Sequence, residues 1–329
     1  MGTDKKEWFP ISLEDLRTVS LKDRPNKIEV NNLGRPWRPG RPLSAFLETL
    51  PDVLAGRSFR TAVSAISRAI SNNNVIILGT GAHPIKVGLS SILIHAVQKG
   101  YFTAIACNGA FAIHDVEMAL VGGTSEDVAL RLQRGEFGVA RETAEFIHEA
   151  ISWAHRCGGM GLGEAVGKRL IMERVPYLDL SVIAQAVLGS VPVTVHVAIG
   201  TDVIHMHPAT DGAALGALSY RDFRLFCRIV AGLKNGVYIN LGSAVVLPEV
   251  FLKAVNVAIN LGYCLDGLTT INMDFREQYR TRVNVVERPV AGRGQGIQLI
   301  GHHELMFPLL MAAVAEELQK KESEVTSPP

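Results

Sequence analysis

The stretch "NVIILGTG", Asn74 to Gly81, limits the fold of this chain more than any other feature. It is a short, continuous apolar run closed by glycine, where a strand with one wet face would alternate apolar and polar residues. Such a run marks a strand covered on both faces, as parallel sheets require. "FTAIACNGA", "VPVTVHVAIG", "NGVYINLG" and "LTTINMDF" have the same character. Between them, "FRTAVSAISRAISN", "VGLSSILIHAVQKG", "VARETAEFIHEAISWAHRCG" and "PEVFLKAVNVAINLG" space apolar residues three and four apart, the period of an amphipathic helix. The alternation predicts an α/β fold: a doubly wound, mainly parallel sheet with helices on both faces.

Further helices are expected at "LSAFLETLPDVLAG", "IHDVEMALVG", "LGEAVGKRLIME" and "ELMFPLLMAAVAEELQKK", and at "TSEDVALRLQRG" with Thr124 or Ser125 as its N-cap. Residues 1–42 read as an extended N-terminal arm, rich in Arg-Pro steps, packed on the body or on a neighbouring subunit. Residues 43–321 read as a single α/β nucleotide-binding domain and 322–329 as a disordered tail. Composition narrows the function classes. A formal net charge of +1 gives no reason to expect nucleic acid as a partner. No apolar run spans a membrane without interruption, and "MGTDKKEW" is not a signal peptide. Cys107, Cys157, Cys227 and Cys264 form no CxxC pair and read as reduced thiols that pack in the core. The expectation is a cytoplasmic protein.

Ligands of doubly wound sheets sit beyond the carboxyl ends of the strands. Here those ends read "LGTGAH", "ACNGA", "AIGTDVIHMHPATDG", "INLGSA" and "INMDFR". Every one carries glycine or small polar residues, and together they predict a nucleotide cleft. The dinucleotide fingerprint GxGxxG is absent, because "GTGAHP" keeps only its first two glycines. Lys86, at an expected helix start, suits a phosphate or carboxylate, or a Schiff base if desolvated; a solvated lysine is the alternative. His114 with Asp115 would form an acid/base pair at the cleft, or a helix-start charge with Asp115 as a cap. His205 and His207, two apart, would face one side of a strand and could ligate a metal with Asp202 or Asp211, or could hydrogen-bond near the cleft. "GHHELMFP" adds His302, His303 and Glu304 at a cleft lip, with helix capping as the other explanation for Glu304. Arg276, Arg280 and Arg282 suit a carboxylate or phosphate by bidentate contact, or else a subunit interface or solvated loop.

From about Phe59 to Ala313 the order of motifs resembles deoxyhypusine synthase. "IILGTGAHPIKVG" is similar to its first dinucleotide turn and "AVQKGYFTAIACNGA" to its second strand and nicotinamide-side turn. "ATDGAALG" matches at its TDG core, and "INLGSAVVLPEVFLKA", "TTINMD" and "LMFPLLMAA" follow in the family's order. The resemblance implies an NAD-binding, Rossmann-type parallel-sheet domain in a homotetramer, with active sites between paired subunits. It places Gly81, Ala82, His83, Asn108, Gly109, Asp211, Gly242, Ser243, Asn272 and His302 along the dinucleotide. Departures from the pattern are specific. The all-glycine turn reads "GSA", and His302 stands where the family has aspartate. The family's imine-forming lysine has no counterpart, since no lysine lies between Lys253 and Lys320. Its catalytic histidine falls on Pro248, and its acidic polyamine loop is replaced by the arginine-rich "REQYRTRVNVVERP". That surface would repel a polyamine and attract an anion.

The reading that follows is a deoxyhypusine synthase-like protein that is not a working deoxyhypusine synthase. It would be an NAD-linked transferase or oxidoreductase-type enzyme, a dimer or tetramer, acting on a small anionic molecule. Lys86 and the arginines would hold the anion, and His114 with Asp115, or His303 with Glu304, would move protons. The alternatives are a nucleotide-binding protein without catalysis, or a metal-dependent hydrolase built on His205 and His207.

Overall fold

The computed structural model describes residues 8–326. Six strands form one sheet, all parallel: β1 (Ile76–Thr80), β2 (Ala104–Asn108), β3 (Val193–His196), β4 (Val237–Leu241), β5 (Thr269–Asp274) and β6 (Gln295–Ile300). Their spatial order is β3-β2-β1-β4-β5-β6, which is the order of a doubly wound dinucleotide-binding sheet. The five apolar runs are β1 to β5. The edge strand β6 has no such run, because "QGIQLI" interleaves glycine and glutamine and leaves half its residues exposed.

Helices connect and cover the strands. In chain order they are α1 (Leu43–Leu47), α2 (Leu54–Ser71), α3 (His83–Lys86), α4 (Ser90–Gln98), α5 (Gly109–Val121), α6 (Val128–Leu132) and α7 (Arg141–Cys157). They continue as α8 (Leu162–Glu173), α9 (Val182–Leu188), α10 (Gly212–Val230), α11 (Val246–Asn260), α12 (Tyr279–Thr281) and α13 (His303–Thr326). Alternate strand residues enter opposite cores. Ile76, Leu78, Val237 and Ile239 join the larger one, beneath α2, α4 and α13. Ile77, Ala106 and Tyr238 join the smaller one, with Phe226 of α10 and Phe251 of α11. Both faces are therefore covered, as continuous apolar strands demand.

Several local expectations change. α6 is one turn capped by Asp127, whose side chain accepts from Leu130 N at 3.1 Å, so neither Thr124 nor Ser125 is its cap. The long helix α10 was not legible in "DGAALGALSYRDF". Cys107 and Cys227 are buried, whereas Cys157 and Cys264 are exposed and do not pack in the core. The arm meets the body chiefly around Asn32 and Arg35, whose backbones bond Asp52 and Thr49. Phe9, Ile11, Val19 and Val30 stay exposed. The last helix runs on to Thr326, and residues 1–7 and 327–329 of the expected arm and tail lie outside the described residues. Among the described residues no helix is long and apolar enough to cross a membrane.

Candidate functional site

The connections from β1 and β4 leave in opposite directions along the sheet, which opens a crevice above their carboxyl ends. Two glycine turns form its floor. Gly81 N donates to Leu241 O at 3.1 Å, and a Cβ at Gly81 would stand 2.5 Å from Gly242 O. Gly242 has φ +65, and a Cβ there would lie 3.1 Å from the His303 ring. The first turn has no room for a side chain and the second has the left-handed backbone that favours glycine.

A row of amides crosses β4, β5 and β6 at the same level, with Asn240 in register with Asn272 and Asn272 with Gln298. Asn240 Nδ2 donates to Asn272 Oδ1 at 2.7 Å and to Ser243 O at 2.9 Å. Asn240 Oδ1, Asn272 Nδ2 and both amide atoms of Gln298 are buried and have no partner in the protein. Buried polar atoms are almost always hydrogen-bonded, so such a row marks where other atoms belong. Beside it the Tyr238 ring stacks on Phe251 and fills the notch left by Gly79, where a Cβ would meet Tyr238 Oη at 2.2 Å. Burial pushes that phenol well above its ordinary pKa.

Three rings gather at the crevice. His83 lies 5.0 Å from His303 and 5.5 Å from Phe275, centroid to centroid. His303 is fully buried; its Nε2 donates to Met273 O at 3.2 Å and its Nδ1 has no partner. Burial lowers its pKa from the ordinary histidine value, with His83 adding to the fall, which favours the neutral ring. The sequence grouped His303 with Glu304, but Glu304 instead faces His302 at 3.8 Å on the exposed side. Of the arginines, Arg276 lies over the Phe275 ring at 5.6 Å and pairs with no carboxylate among the described residues. Arg280 is 3.4 Å from Glu249, and Arg282 is held between Glu277 and Glu287.

The other expected residues lie apart from this centre. Lys86 ends the one-turn helix α3 and is exposed, so no helix N-terminus stands behind it. Asn108 caps α5 by accepting from Phe111 N at 2.9 Å. The Asp202 carboxylate lies against Gly109, where a Cβ would be 2.1 Å from Oδ2, and accepts from Ala110 N. It occupies the end of α5 that would otherwise attract an anion, and burial pushes it up to about 6. His114 and Asp115 diverge on α5. His114 meets Thr124 at 2.6 Å, while buried Asp115 accepts from Ser181 Oγ at 2.5 Å, Val182 N at 2.7 Å and Ile183 N at 3.2 Å. Asp115 therefore caps α9, and burial pushes it up to about 6 against those hydrogen bonds. Asp211 caps α10 through Ala213 N and Ala214 N. His205 and His207 do not share a strand face, because they lie in and after the 3-10 turn Val203–Met206. His205 is 3.9 Å from Asp202, and the His207 ring lies against His148. Among the described residues no group of three His, Cys, Asp or Glu side chains could hold a metal ion. Asn240, Gln298 and Phe275 at the site were not foreseen, and Asp202, expected only as a metal ligand, lies against Gly109 at the start of α5. The repeated "IN" of "YINLG" and "TTINMD" is the sequence signal that could have found the amide pair.

No protein-family model and no curated protein matches the sequence. Solved structures match in fold. A candidate deoxyhypusine synthase from Entamoeba histolytica matches with TM-score 0.52 and 14% identity, over 85% of this chain and 95% of that one. Unliganded AgrE matches with TM-score 0.54 and 14% identity, over 82% of this chain and 34% of that one. The ternary complex of AgrE with ornithine and NAD+ matches with TM-score 0.52 and 13% identity, over 84% and 35%. This chain thus spans about a third of the AgrE length, 34% and 35% in the two structures. The resemblance to deoxyhypusine synthase extends to the fold along nearly the whole of the E. histolytica chain.

Proposed function

We propose that this chain binds a dinucleotide of the NAD type in the crevice between β1 and β4 and acts there on a small anionic substrate. One observation carries the reading: two glycine turns in contact at the switch point, backed by buried Asn240 and Asn272 atoms that the protein leaves unpaired. Bare backbone at Gly81 and Gly242 lets a pyrophosphate approach closely. The amides offer one acceptor and one donor, and the His83, Phe275 and His303 rings offer a stacking wall. AgrE, which shares the fold, has been solved with ornithine and NAD+. Arg276 holds the anion in this reading, with Lys86 as an exposed second cation. His303 Nδ1, neutral and unpartnered, accepts the proton. The bare apolar residues of the arm support assembly into a dimer or tetramer.

Native mass spectrometry of the purified protein, followed by calorimetry with NAD, tests the reading. One nucleotide per chain is expected, lost in Gly81→Val. Failure of the wild type to bind any dinucleotide would overturn it. A second reading, a nucleotide-binding protein without turnover, is favoured by Asp115 serving as a helix cap and by the absence of any lysine between Lys253 and Lys320. Release of the bound ligand unchanged across a substrate panel separates the two. The metal-dependent hydrolase loses its basis in the 3-10 turn that parts His205 from His207.

A further inference from the structure

A second depression, of about 410 Å³, runs along α7 beside the loop that follows β3. It is built from α7, α8 and Ala209, none of which forms the nucleotide crevice. Glu145, Glu149 and Arg156 recur on one side of α7 at helical spacing, acidic at one end and basic at the other. Arg169 of α8 bonds Glu149 at 2.7 Å. Glu145 and Arg156 enter no salt bridge among the described residues, though Arg141, one turn before Glu145, attracts it at longer range.

Two further atoms decide what fits. His148 lines the groove and is only 3% exposed. Its Nε2 is 2.8 Å from Ile204 O, and a carbonyl can only accept, so Nε2 carries a proton and, in the neutral ring, Nδ1 is a lone-pair acceptor. Nδ1 is buried and has no partner; neither has Arg169 Nε, which is always a donor. Both residues line the groove, and each carries a buried side-chain nitrogen without a partner just beneath its surface. Trp153 adds an aromatic surface to the lining.

We propose that this groove binds a free amino acid. The ammonium meets His148 Nδ1 and Glu145, the carboxylate meets Arg169 Nε and Arg156, and the side chain lies on Trp153. A simple cation would meet Arg156, and a simple anion would meet Glu145; only a molecule carrying both charges is matched at both ends. The site stands independently of the nucleotide reading.

The test is saturation-transfer NMR of the full chain with each standard amino acid, followed by calorimetry on any that bind. At least one is expected to bind at millimolar concentration or tighter. Its N-acetyl and methyl-ester forms should each bind about tenfold more weakly, equivalent to about 1.4 kcal/mol. Glu145→Ala and Arg156→Ala, both at exposed positions, should show the same loss with unchanged melting. Gly242→Ala, in the crevice, should leave the affinity intact. The proposal fails if no amino acid binds at about 10 mM, or if blocked forms bind as well as the free one. It also fails if affinity survives both α7 substitutions, or if Gly242→Ala abolishes it, since the ligand would then sit elsewhere.

Discussion

The carboxyl ends of β2 and β3 and those of β4 and β5 both bury polar side chains, and they use them in opposite ways. On the β2 and β3 side Asp115 ties down the start of α9 with three hydrogen bonds, and Asp222 Oδ2 accepts from Gly163 N at 2.9 Å and Val195 N at 2.8 Å. Asp115 clamps α9 to α5, and Asp222 clamps α10 to β3 and to the start of α8, with its Oδ1 left without a partner. On the β4 and β5 side Asn240, Asn272 and His303 each keep an atom with no partner. Asp115, both of whose oxygens are filled from within, is structural; Asn240, Asn272 and His303, whose unpartnered atoms lie beside the glycine turns of the switch point, are candidates for binding. This is why the acid/base pair expected on α5 reads as scaffold, and the row behind the glycine turns reads as a site.

The largest expected effect divides the halves directly. Asp115→Ala strands the Ser181 hydroxyl and two backbone N–H groups in the core, at roughly 1–3 kcal/mol each when unmet, so a loss of about 4 kcal/mol is expected. Asn272→Leu removes one bond from Asn240, which keeps its contact to Ser243 O, and should cost only about 1 kcal/mol while abolishing nucleotide binding. Urea unfolding and calorimetry on both variants measure this. Equal stability losses, or nucleotide binding retained by Asn272→Leu, would break the contrast.

The next effect concerns pH. Burial of Asp222 raises its pKa from 3.8 to about 7, against its backbone hydrogen bonds and with Glu164 adding to the rise. Between those values the folded chain holds a proton that the unfolded chain has released, so its contribution to stability is full below 3.8 and is lost as pH rises towards 7. Asp222→Asn, neutral throughout, should lack this loss. Its stability relative to wild type should improve on the order of 3 kcal/mol from pH 4 to pH 7. Parallel urea midpoints across that range would show that Asp222 is charged in the fold.

A smaller pair of effects uses two glycines with the same backbone strain. Gly122 ends α5 at φ +71, and Gly242 stands at φ +65 in the crevice. Alanine at either should cost about 1–2 kcal/mol in backbone strain, and at Gly122 its Cβ would also press on the Tyr177 ring at 2.9 Å, which adds to the cost there. Only Gly242→Ala is expected to weaken nucleotide binding. Matched losses of affinity would mean that strain, and not the local site, was being measured.

How much of this was legible in the sequence follows the same division. β1 to β5 were readable because each is buried on both faces and must be apolar throughout. β6, at the edge, carries no such requirement and was missed. Gly81 and Gly242 were visible because backbone conformation and close approach select glycine in any context. The partners of Asp115 and Asp222 come from 27 to 68 residues away, and those of the arginines from across a loop or a neighbouring helix. No periodicity carries that information. The histidines of "HMH" were misplaced for a related reason: two-residue spacing means one face only on a strand, and the segment is a 3-10 turn.

The smallest effect on stability is also the sharpest test of where an anion would sit. Arg280 and Arg276 come from the same arginine-rich segment, yet Arg280 faces Glu249 at the surface while Arg276 covers Phe275 beside the histidine rings. Both replacements by alanine should change stability by no more than about 0.5 kcal/mol, because exposed ion pairs and exposed cation–π contacts contribute little. Their effects on ligand should differ. Arg276→Ala is expected to weaken a small carboxylate or phosphate bound to the nucleotide-loaded protein at least about tenfold, and Arg280→Ala to leave it unchanged. If Arg280 matters as much as Arg276, Glu249 gives up its partner when ligand binds, and the anion lies over α11 instead of over the rings.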